Sequence, residues 1–267
     1  MPLFKKLIIK EVKRETKDAV SILFNIPEEF KSHYTFIAGQ YVNLRLTLDS
    51  KEIRRAYSIC SSSESGELRI AVKAIKNGAF SQFANTKLKV GDMLEVGKPE
   101  GKFTLETQSH NQKNYTAFVA GSGITPAISI LKSVLKSEPQ SSFVLVYGNK
   151  SPEETIFHQE LHDLQLKYTG RLFVDYVYSQ TKADGALFGR IDKSVVNFVL
   201  NEKHKELEFD KFYLCGPEEM INSVSQVLRE KNVKDSAIKF ELFSSSTVEN
   251  LEASSHDGHT KITMTVD

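Results

Sequence analysis

A short segment of the sequence, RRAYSIC at residues 54–60, contains three side chains that together could bind a nucleotide. Arginine can hold a phosphate with its bidentate fork, tyrosine can stack on a flat heterocycle, and serine can hydrogen-bond a ring nitrogen. On a β-strand Arg55 and Tyr57 would share one face, while Ser58 would lie at the end of the strand. This combination fits a flavin nucleotide.

A second candidate site is the glycine-containing turn GSGITP at residues 121–126, where a predicted strand passes into a predicted helix. Glycines allow a diphosphate to approach the backbone, and the start of a helix offers free N–H groups. The usual dinucleotide fingerprint has a third glycine where this sequence has Pro126, and the next strand ends in YGNK, without an acid to bind a ribose. We therefore do not expect the usual mode of holding NAD. A tight turn without a ligand is the alternative.

A third candidate is KFYLCGP at residues 211–217, another strand that runs into a helix through a glycine. Ligands of open parallel sheets bind at the carboxyl ends of the strands, so this segment and the first glycine turn should meet at one edge. Cys215 would then lie beside a bound ring. The alternative is a small buried thiol, which is the commoner fate of a cysteine.

Two sequence patterns indicate which elements position these residues. Up to about residue 101 the chain has six short strands and one short helical segment at 79–88, which predicts a six-stranded antiparallel β-barrel. Strands and helices then alternate, with helices expected near Pro126, Pro152, Asp192 and Pro217, which predicts an α/β domain with a five-stranded parallel sheet. We assign 1–108 to the barrel, 109–243 to the α/β domain and 244–260 to a flexible linker. Residues 261–267 alternate like one further strand.

The composition is that of an ordinary globular protein, with 40% hydrophobic and 26% charged residues and a net charge of +1. This charge balance gives no reason to expect nucleic acid or an anionic membrane as a partner, and no apolar run is long enough to cross a bilayer. The N-terminus lacks the features of a signal peptide, so we expect a cytoplasmic protein. Cys60 and Cys215 are too few for a disulfide framework or a four-cysteine cluster, and no metal site is expected.

Four motifs in one order resemble those of the ferredoxin–NADP reductase-like flavoproteins. They are R-x-Y-S at 55–58, G-x-x-S at 78–81, G-x-G-x-x-P at 121–126 and C-G-P at 215–217. The resemblance covers residues 3–243 and implies a flavin-binding barrel followed by a domain for a nicotinamide nucleotide. Within this family the sequence is most similar to reductase components of multicomponent oxygenases, phenylacetyl-CoA epoxidase in particular. In those proteins a [2Fe-2S] ferredoxin domain follows the linker.

The resemblance implies roles for the matching positions. Ser58 would approach flavin N5, Phe243 would cover the ring face that the nicotinamide needs and would have to move, and Ser58, Cys215 and Glu241 would be catalytic. For FAD it implies Arg55, Ala56, Tyr57, Ser58, Val72, Lys73, Gly78, Phe80, Ser81 and Phe243. For the nicotinamide nucleotide it implies Gly121, Gly123, Thr125, Pro126, Ser179, Lys182, Arg190, Cys215, Gly216 and Pro217. For Glu241 the alternative is a solvated carboxylate at a strand end.

The resemblance leaves the coenzyme and the electron acceptor less defined. NADPH-using relatives have an arginine after the serine that matches Ser179, but here Gln180 follows, and Lys182 or Arg190 would meet the extra phosphate instead. We expect NADPH, with NADH as the alternative. No cysteine follows Cys215, so 261–267 is interpreted as the start of a missing ferredoxin-like domain, and [2Fe-2S] is expected only in a longer form of the chain.

The overall prediction is a flavoprotein oxidoreductase. It would pass hydride from NAD(P)H to FAD and single electrons to an iron–sulfur centre of a ferredoxin-type domain or protein serving a multicomponent oxygenase, in phenylacetate or other aromatic degradation. Two alternatives stay open: a stand-alone ferredoxin or flavin reductase, and a non-catalytic NAD(P)H-sensing subunit.

Overall fold

The computed structural model describes residues 4–48, 50–245 and 260–264. The first part of the chain forms the predicted barrel, and the short helix predicted at 79–88 is present. Its elements are β1 (Lys5–Thr16), β2 (Ala19–Asn25), β3 (Tyr41–Leu48), β4 (Lys51–Ser58), β5 (Leu68–Lys73), α1 (Ala79–Thr86) and β6 (Met93–Val96).

The barrel strands are ordered β4-β3-β6-β1-β2-β5, and all of their pairings are antiparallel. Beyond the end of β4, Ile59 forms a bridge with Ile70 of β5, and the Cys60 amide donates to the Arg69 carbonyl at 2.8 Å. These contacts join the two edge strands and close the barrel. Along β1, Leu7 and Ile9 are buried in the core and Ile8 between them is exposed, as expected for a strand with one face inward.

The second part of the chain is the predicted α/β domain. Short 3₁₀ turns at Gly121–Gly123 and Pro152–Glu154 precede two of its helices, and a π-helical turn at Val199–Lys203 follows a third. Its elements are β7 (Asn114–Ala120), α2 (Ile124–Ser137), β8 (Ser142–Asn149), α3 (His158–Lys167), β9 (Leu172–Tyr178), β10 (Leu187–Phe188), α4 (Lys193–Phe198), β11 (Lys211–Gly216), α5 (Glu218–Glu230), β12 (Ile238–Ser245) and β13 (Thr260–Met264).

The strand order of this parallel sheet is β10-β9-β8-β7-β11-β12-β13. The chain moves outward from β7 to β10 and then returns to the other side of β7, so strand order reverses between β7 and β11. Such a reversal leaves a crevice beyond the carboxyl ends of the strands, where ligands of α/β sheets bind. The fold class predicted from the sequence is therefore confirmed, and the two glycine segments meet at this edge.

The structure differs from the prediction in two details. Two short edge strands, β10 and β13, extend the five predicted parallel strands to seven. The helix expected at Pro152 begins at His158 instead. Pro152 starts only a single 3₁₀ turn, Thr155 is extended, and Phe157 has a left-handed backbone at φ 62°, so the turn cannot continue into the helix.

The barrel and the α/β domain share one apolar core. Residues of α2 pack in the same cluster as Ala38, Cys60, Ala71 and Phe103 of the barrel. Polar contacts border this cluster along one helical face of α2, at positions 129, 132, 133 and 136. We call these contacts with residues 60–64 the α2 seam: Ser129 Oγ donates to Ser61 O at 2.7 Å, Lys132 Nζ to Cys60 O at 3.0 Å, Lys136 Nζ to Glu64 O at 2.9 Å, and Ser63 N to Ser133 Oγ at 3.0 Å.

Three predicted segments need separate comment. The boundary predicted at 108/109 falls in the connection between β6 and β7 and stays a prediction. Most of the linker predicted at 244–260 lies outside the described residues. Residues 260–264 pair with β12 as an edge strand of the α/β sheet, and their assignment to a ferredoxin-like domain stays a prediction. In the described part of the chain, no helix combines the length and the apolar character needed to cross a membrane.

Candidate functional site

The end of β4 positions the residues of the R-x-Y-S motif. Tyr57 packs on Phe80 of α1, with ring centroids 5.3 Å apart, which fixes the tyrosine ring against the barrel. Arg55 Nη1 donates to the Arg54 carbonyl at 2.8 Å. Ser58 is only 4% exposed, and its hydroxyl has no hydrogen-bond partner among the described residues. A buried hydroxyl without a partner costs about 1–3 kcal/mol, so Ser58 is suited to a ligand that supplies one.

The start of α1 lies beside β4 and β5. Gly78 has no room for a side chain, because a Cβ there would overlap with Ser81 Oγ and lie 2.5 Å from Ile75 Cγ1. Ser81 Oγ accepts from Ile75 N and donates to Gly78 O, both at 3.2 Å, so this hydroxyl serves its own turn. Phe80 is buried in the barrel core. A ligand here would therefore meet the backbone and Ser81, which lines the small cavity described below, but not the Phe80 side chain.

The two predicted residues on β5 differ in position. Val72 is buried in the barrel core, and its carbonyl accepts from Asn85 Nδ2 at 3.1 Å. The Val72 side chain therefore packs in the barrel core and lines neither cavity, and its contact with a flavin stays a prediction. Lys73, the last residue of β5, is half-buried and lines the space between the two domains.

The GSGITP turn brings β7 and α2 against β11. Gly121 has φ +54°, a conformation that favours glycine, and a Cβ on Gly123 would overlap with the Cys215 carbonyl oxygen. The turn is thus held against the start of the C-G-P segment. Thr125 Oγ1 donates to the Ser122 carbonyl at 3.0 Å, and Pro126 is buried in the first turn of α2. The two glycine segments form one backbone surface at the reversal of strand order.

Cys215 lies opposite both Val119 and Glu241 in the sheet register. Its thiol is fully buried in the shared core and lines neither of the cavities described below. Burial first, and the nearby Glu241 second, raises the pKa of the Cys215 thiol well above its usual value. Cys215 is therefore an uncharged buried thiol, which agrees with the alternative prediction. Gly216 has φ +156°, and Pro217 precedes α5.

Glu241 is completely buried, and neither carboxylate oxygen has a hydrogen-bond partner within the described part of the chain. Burial raises the pKa of this carboxyl to about 8. It is therefore protonated at neutral pH in the absence of a partner. The alternative prediction of a solvated carboxylate is wrong, because the register of β12 places Glu241 beside Cys215 rather than at the surface.

Two of the cavities between the domains contain residues of the predicted site. A small cavity of about 90 Å³ is lined by residues of both domains, and the seven predicted residues among them are Ala56, Tyr57, Ser58, Lys73, Ser81, Thr125 and Phe243. A larger cleft of about 400 Å³ lies at the carboxyl edge of the parallel sheet, and its predicted residues are Lys73, Gly121, Ser179, Arg190 and Pro217. The structure therefore brings together residues that are distant in sequence.

Not every predicted residue lines a cavity. The residues outside both are Arg55, Val72, Gly78, Phe80, Gly123, Pro126, Lys182, Cys215, Gly216 and Glu241. The Lys182 ammonium lies 5.6 Å from the centroid of the Phe188 ring, away from the cleft lining. Gly123 and Gly216 instead lie so close to neighbouring atoms that a side chain would not fit at either position.

Sequence reasoning missed several lining residues. The larger cleft also includes Gly148, Asn149, Lys150, Asp192, Glu219, Met220 and Ser223, and the small cavity includes Ser122, Ala71 and Ile75. Asn149 and Lys150 follow the carboxyl end of β8, so the rule for strand ends could have identified them. The Asn149 amide nitrogen is buried without a partner among the described residues.

These residues fit a flavin and a nicotinamide nucleotide by the chemistry of their donors. Ser58 and Asn149 offer unsatisfied polar groups, Lys73 and Arg190 offer positive charge, and the glycines offer close backbone approach. The small cavity is below the roughly 300–1,000 Å³ of typical cofactor sites, and Phe243 is one of its walls. Among the described residues, no group of three or more His, Cys, Asp or Glu could hold a metal ion.

Comparison with known proteins gives consistent matches for both domains. Residues 6–105 match the model "Oxidoreductase FAD-binding domain", and residues 118–226 match "Oxidoreductase NAD-binding domain". The chain is 38% identical over 252 residues to a subunit of the 1,2-phenylacetyl-CoA epoxidase of Escherichia coli (strain K12), covering 91% of this chain and 68% of that protein.

A second relative and a solved structure agree with these matches. The ferredoxin reductase component of 3-ketosteroid-9-alpha-monooxygenase from Rhodococcus rhodochrous is 31% identical, covering 90% of this chain and 65% of that protein. The chain thus spans about two thirds of the length of both relatives. The flavohem-like FAD/NAD binding domain of nitric oxide dioxygenase from Vibrio cholerae O1 biovar El Tor superposes with a TM-score of 0.76 at 25% identity, covering 90% of this chain and 98% of that chain.

Proposed function

Because this chain belongs to the ferredoxin–NADP reductase-like flavoproteins, we propose that it carries electrons from NADPH through FAD to an iron–sulfur centre that serves an oxygenase. The family predicted from the four motifs is confirmed by the two domain matches and by the 38% identical relative. The chain is therefore an oxidoreductase with an FAD-binding and an NAD-binding domain. The coenzyme, the acceptor and the oxygenated substrate belong to the proposal.

The observation that carries the proposal is the small cavity shared by the two domains. Its walls combine Tyr57 and Ser58 of the barrel with Thr125 of the α/β domain. When bound, FAD accepts a hydride from the nicotinamide and releases electrons one at a time. The protein's part is to hold the two rings in contact and to exclude water. Ser58 would donate a hydrogen bond from its unsatisfied hydroxyl to the flavin, and Phe243 would have to shift to admit the rings.

The preference for NADPH rests on the charge of the larger cleft. Lys73, Lys150 and Arg190 line it. Lys150 follows β8 and Arg190 follows β10, on either side of β9, which ends just before Ser179. This positive charge suits the additional phosphate of NADPH, although Lys150 also pairs with Glu154 at 3.4 Å. The cleft contains two acids as well, Asp192 and Glu219, so NADH stays the alternative.

The acceptor is proposed from the two relatives. One belongs to phenylacetyl-CoA epoxidase, and the other is the ferredoxin reductase component of a monooxygenase. We infer that the acceptor is a [2Fe-2S] centre of a ferredoxin-type domain or protein. The electrons would then reach a multicomponent oxygenase in phenylacetate degradation. We also keep the predicted cytoplasmic location as part of the proposal. A stand-alone ferredoxin or flavin reductase is the second candidate, because the chain matches both an FAD-binding and an NAD-binding domain.

The visible spectrum of the purified protein tests the proposal. We expect a yellow protein, or a colourless one that becomes yellow with FAD, whose flavin absorbance is bleached faster by NADPH than by NADH. It should then reduce a [2Fe-2S] ferredoxin in the absence of oxygen. Failure to bind FAD would refute the proposal as a whole. Bleaching without ferredoxin reduction would favour a flavin reductase, and a yellow protein that neither coenzyme bleaches would favour the NAD(P)H sensor.

A further inference from the structure

The end of β12 is held in the sheet by β13 rather than by β11. β11 pairs with β12 only as far as Leu242, whereas β13 pairs with it from Glu241 to Ser245. Phe243 lies in this final part of the strand, opposite Ile262 of β13. Among the described residues, β13 is therefore the only strand that pairs with Phe243 and with the two residues after it.

Phe243 is also a wall of the small cavity between the domains, together with Tyr57 and Ser58. This cavity of about 90 Å³ is well below the roughly 300 Å³ at which cofactor sites begin, so Phe243 would have to shift before two rings could enter. β13 lies close to the same place, because it contacts β4, the strand that ends in Tyr57 and Ser58. The pairing with β13 thus acts on the residue whose movement the site requires.

We propose that β13 is a latch: its pairing with β12 keeps Phe243 in the small cavity, and this pairing must open before the nicotinamide ring can enter. The inference rests on the proposed function. Phe243 packs against the apolar core shared by the two domains, so a rotation of the phenyl ring alone finds little free space. The backbone at the end of β12 has to move with the ring, and the hydrogen bonds to β13 oppose this movement.

The latch can open without unfolding the sheet. Only residues 243–245 depend on β13, and the pairing of β11 with the earlier part of β12 is kept when β13 leaves. The open form is then a minor state that binds the nicotinamide nucleotide, and its small population weakens the apparent affinity. Because such coupling is reciprocal, the bound nucleotide should loosen β13 by the same factor.

The first test measures NADP⁺ binding to the FAD-loaded, oxidised protein by isothermal titration calorimetry. The variant combines Lys261→Pro with Ile262→Pro. One of two neighbouring residues in a parallel strand directs its N–H at a given partner strand, so the two prolines remove a donor from the ladder with β12. We expect this variant to bind NADP⁺ about three- to tenfold more tightly than the wild type. The matched control combines Lys261→Ala with Ile262→Ala, which keeps both N–H groups and should bind as the wild type does.

The second test follows amide hydrogen exchange of the wild type by mass spectrometry, with and without saturating NADP⁺. The amides of residues 243–245 and 260–264 should exchange faster when NADP⁺ is bound, although a ligand ordinarily protects the amides near its site. This measurement decides the question by itself if circular dichroism shows that the proline variant is not folded.

The outcomes separate the latch from the proposed function. Equal NADP⁺ affinities of the proline and alanine variants would show that β13 does not restrain the site. Weaker binding by the proline variant, or slower exchange of residues 260–264 with NADP⁺, would show that β13 supports the bound state, and the inference would be wrong. In each of these cases the proposed function stands. A wild type that binds neither FAD nor NADP⁺ would instead refute the proposed function.

Discussion

Ser58 and Glu241 are polar side chains buried in the described structure without hydrogen-bond partners. Folding alone gives no reason to retain them, because each would be more stable with a partner or replaced by an apolar side chain. They lie on different domains, Ser58 at the end of β4 and Glu241 on β12. Ser58 lines the small cavity, so its unsatisfied hydroxyl is typical of a site that is completed by a ligand, whereas Glu241 lines neither cavity.

The first prediction concerns Ser58. Ser58→Ala should slow the bleaching of the flavin by NADPH about 10- to 100-fold, because it removes the one side-chain donor proposed at the ring. FAD retention should change little, since the phosphates and Tyr57 provide most of the binding. Stopped-flow absorbance gives the rate, and flavin fluorescence after gel filtration gives the retention. Equal losses of both quantities would contradict the proposed contact with N5, and Ser58→Thr should restore part of the rate.

The second prediction concerns the pH dependence of stability. The pKa of Glu241 is about 8 in the folded protein and 4.5 when unperturbed, so between these values the folded state keeps a proton that the unfolded state has released. The stability associated with this group is therefore complete below pH 4.5 and is lost as the pH rises to about 8. Urea unfolding of the flavin-free protein from pH 4.5 to 9 should show this decline.

Glu241→Gln removes the titrating carboxyl. The decline in the free energy of unfolding with rising pH should therefore be smaller by a few kcal/mol in this variant. Glu29→Gln, which changes an exposed glutamate of the barrel, should leave the profile parallel to that of the wild type. If the profiles of wild type and Glu241→Gln were parallel, the carboxyl would be ionised in the folded protein and would have a partner.

At the scale of single elements, the close contact between the GSGITP turn and β11 is the feature that joins the two glycine segments. Gly123 has no space for a Cβ because the Cys215 carbonyl oxygen occupies it, and backbone cannot move aside as a side chain can. Gly123→Ala should therefore lower the free energy of unfolding by more than about 2 kcal/mol. It should also weaken NADP⁺ binding, because the turn must separate from β11.

Gly148→Ala is the control for this third prediction. A Cβ on Gly148 would lie 3.2 Å from Ile191 Cδ1, the end of a side chain that can change rotamer. Its cost should stay below about 1.5 kcal/mol. Urea denaturation followed by circular dichroism measures both variants. Equal and small costs for the two would mean that the turn is not held against Cys215.

The elements were more predictable than the details of the site. Alternation along β1 and the apolar runs of β7, β8 and β11 are local signals, so the barrel and the parallel sheet follow from the sequence. The start of α3 does not, because it depends on the left-handed conformation of Phe157, which no local pattern indicated. Motif positions such as Tyr57, Ser58 and Gly121 do line the cavities.

The surroundings of individual site residues could not be predicted from the sequence. The environment of Glu241 is set by its register beside Cys215, and this pairing joins strands that are separated by α5. Asn149 and Lys150 line the cleft only because β8 ends beside β7, at the reversal of strand order. Lys73 lines both cavities only because the two domains are in contact. Each of these features is tertiary and leaves no short motif.

For the whole molecule, the α2 seam fixes how the barrel and the α/β domain face one another. The fourth prediction is that Ser129→Ala combined with Ser133→Ala lowers the free energy of unfolding by about 2 kcal/mol, at roughly 1 kcal/mol for each hydrogen-bonding side chain lost. The bleaching rate with NADPH should also fall, because the two cavities depend on the relative position of the domains. Chemical denaturation and stopped-flow absorbance measure the two effects.

The control is Ser194→Ala, which changes an exposed serine of α4 and should alter stability by less than about 0.5 kcal/mol. If the double variant lost stability but kept the full bleaching rate, the seam would stabilise the fold without setting the geometry of the site.

The seam and the shared apolar core should hold the two domains together even when the chain between them is cut. Because α2 is bonded to residues 60–64 and packed on Phe103, the barrel and the sheet do not depend on the peptide segment between them to stay together. A protease cut near residue 110 should therefore leave one particle on gel filtration. Two separately produced polypeptides, divided at that point, should reassemble into a working pair.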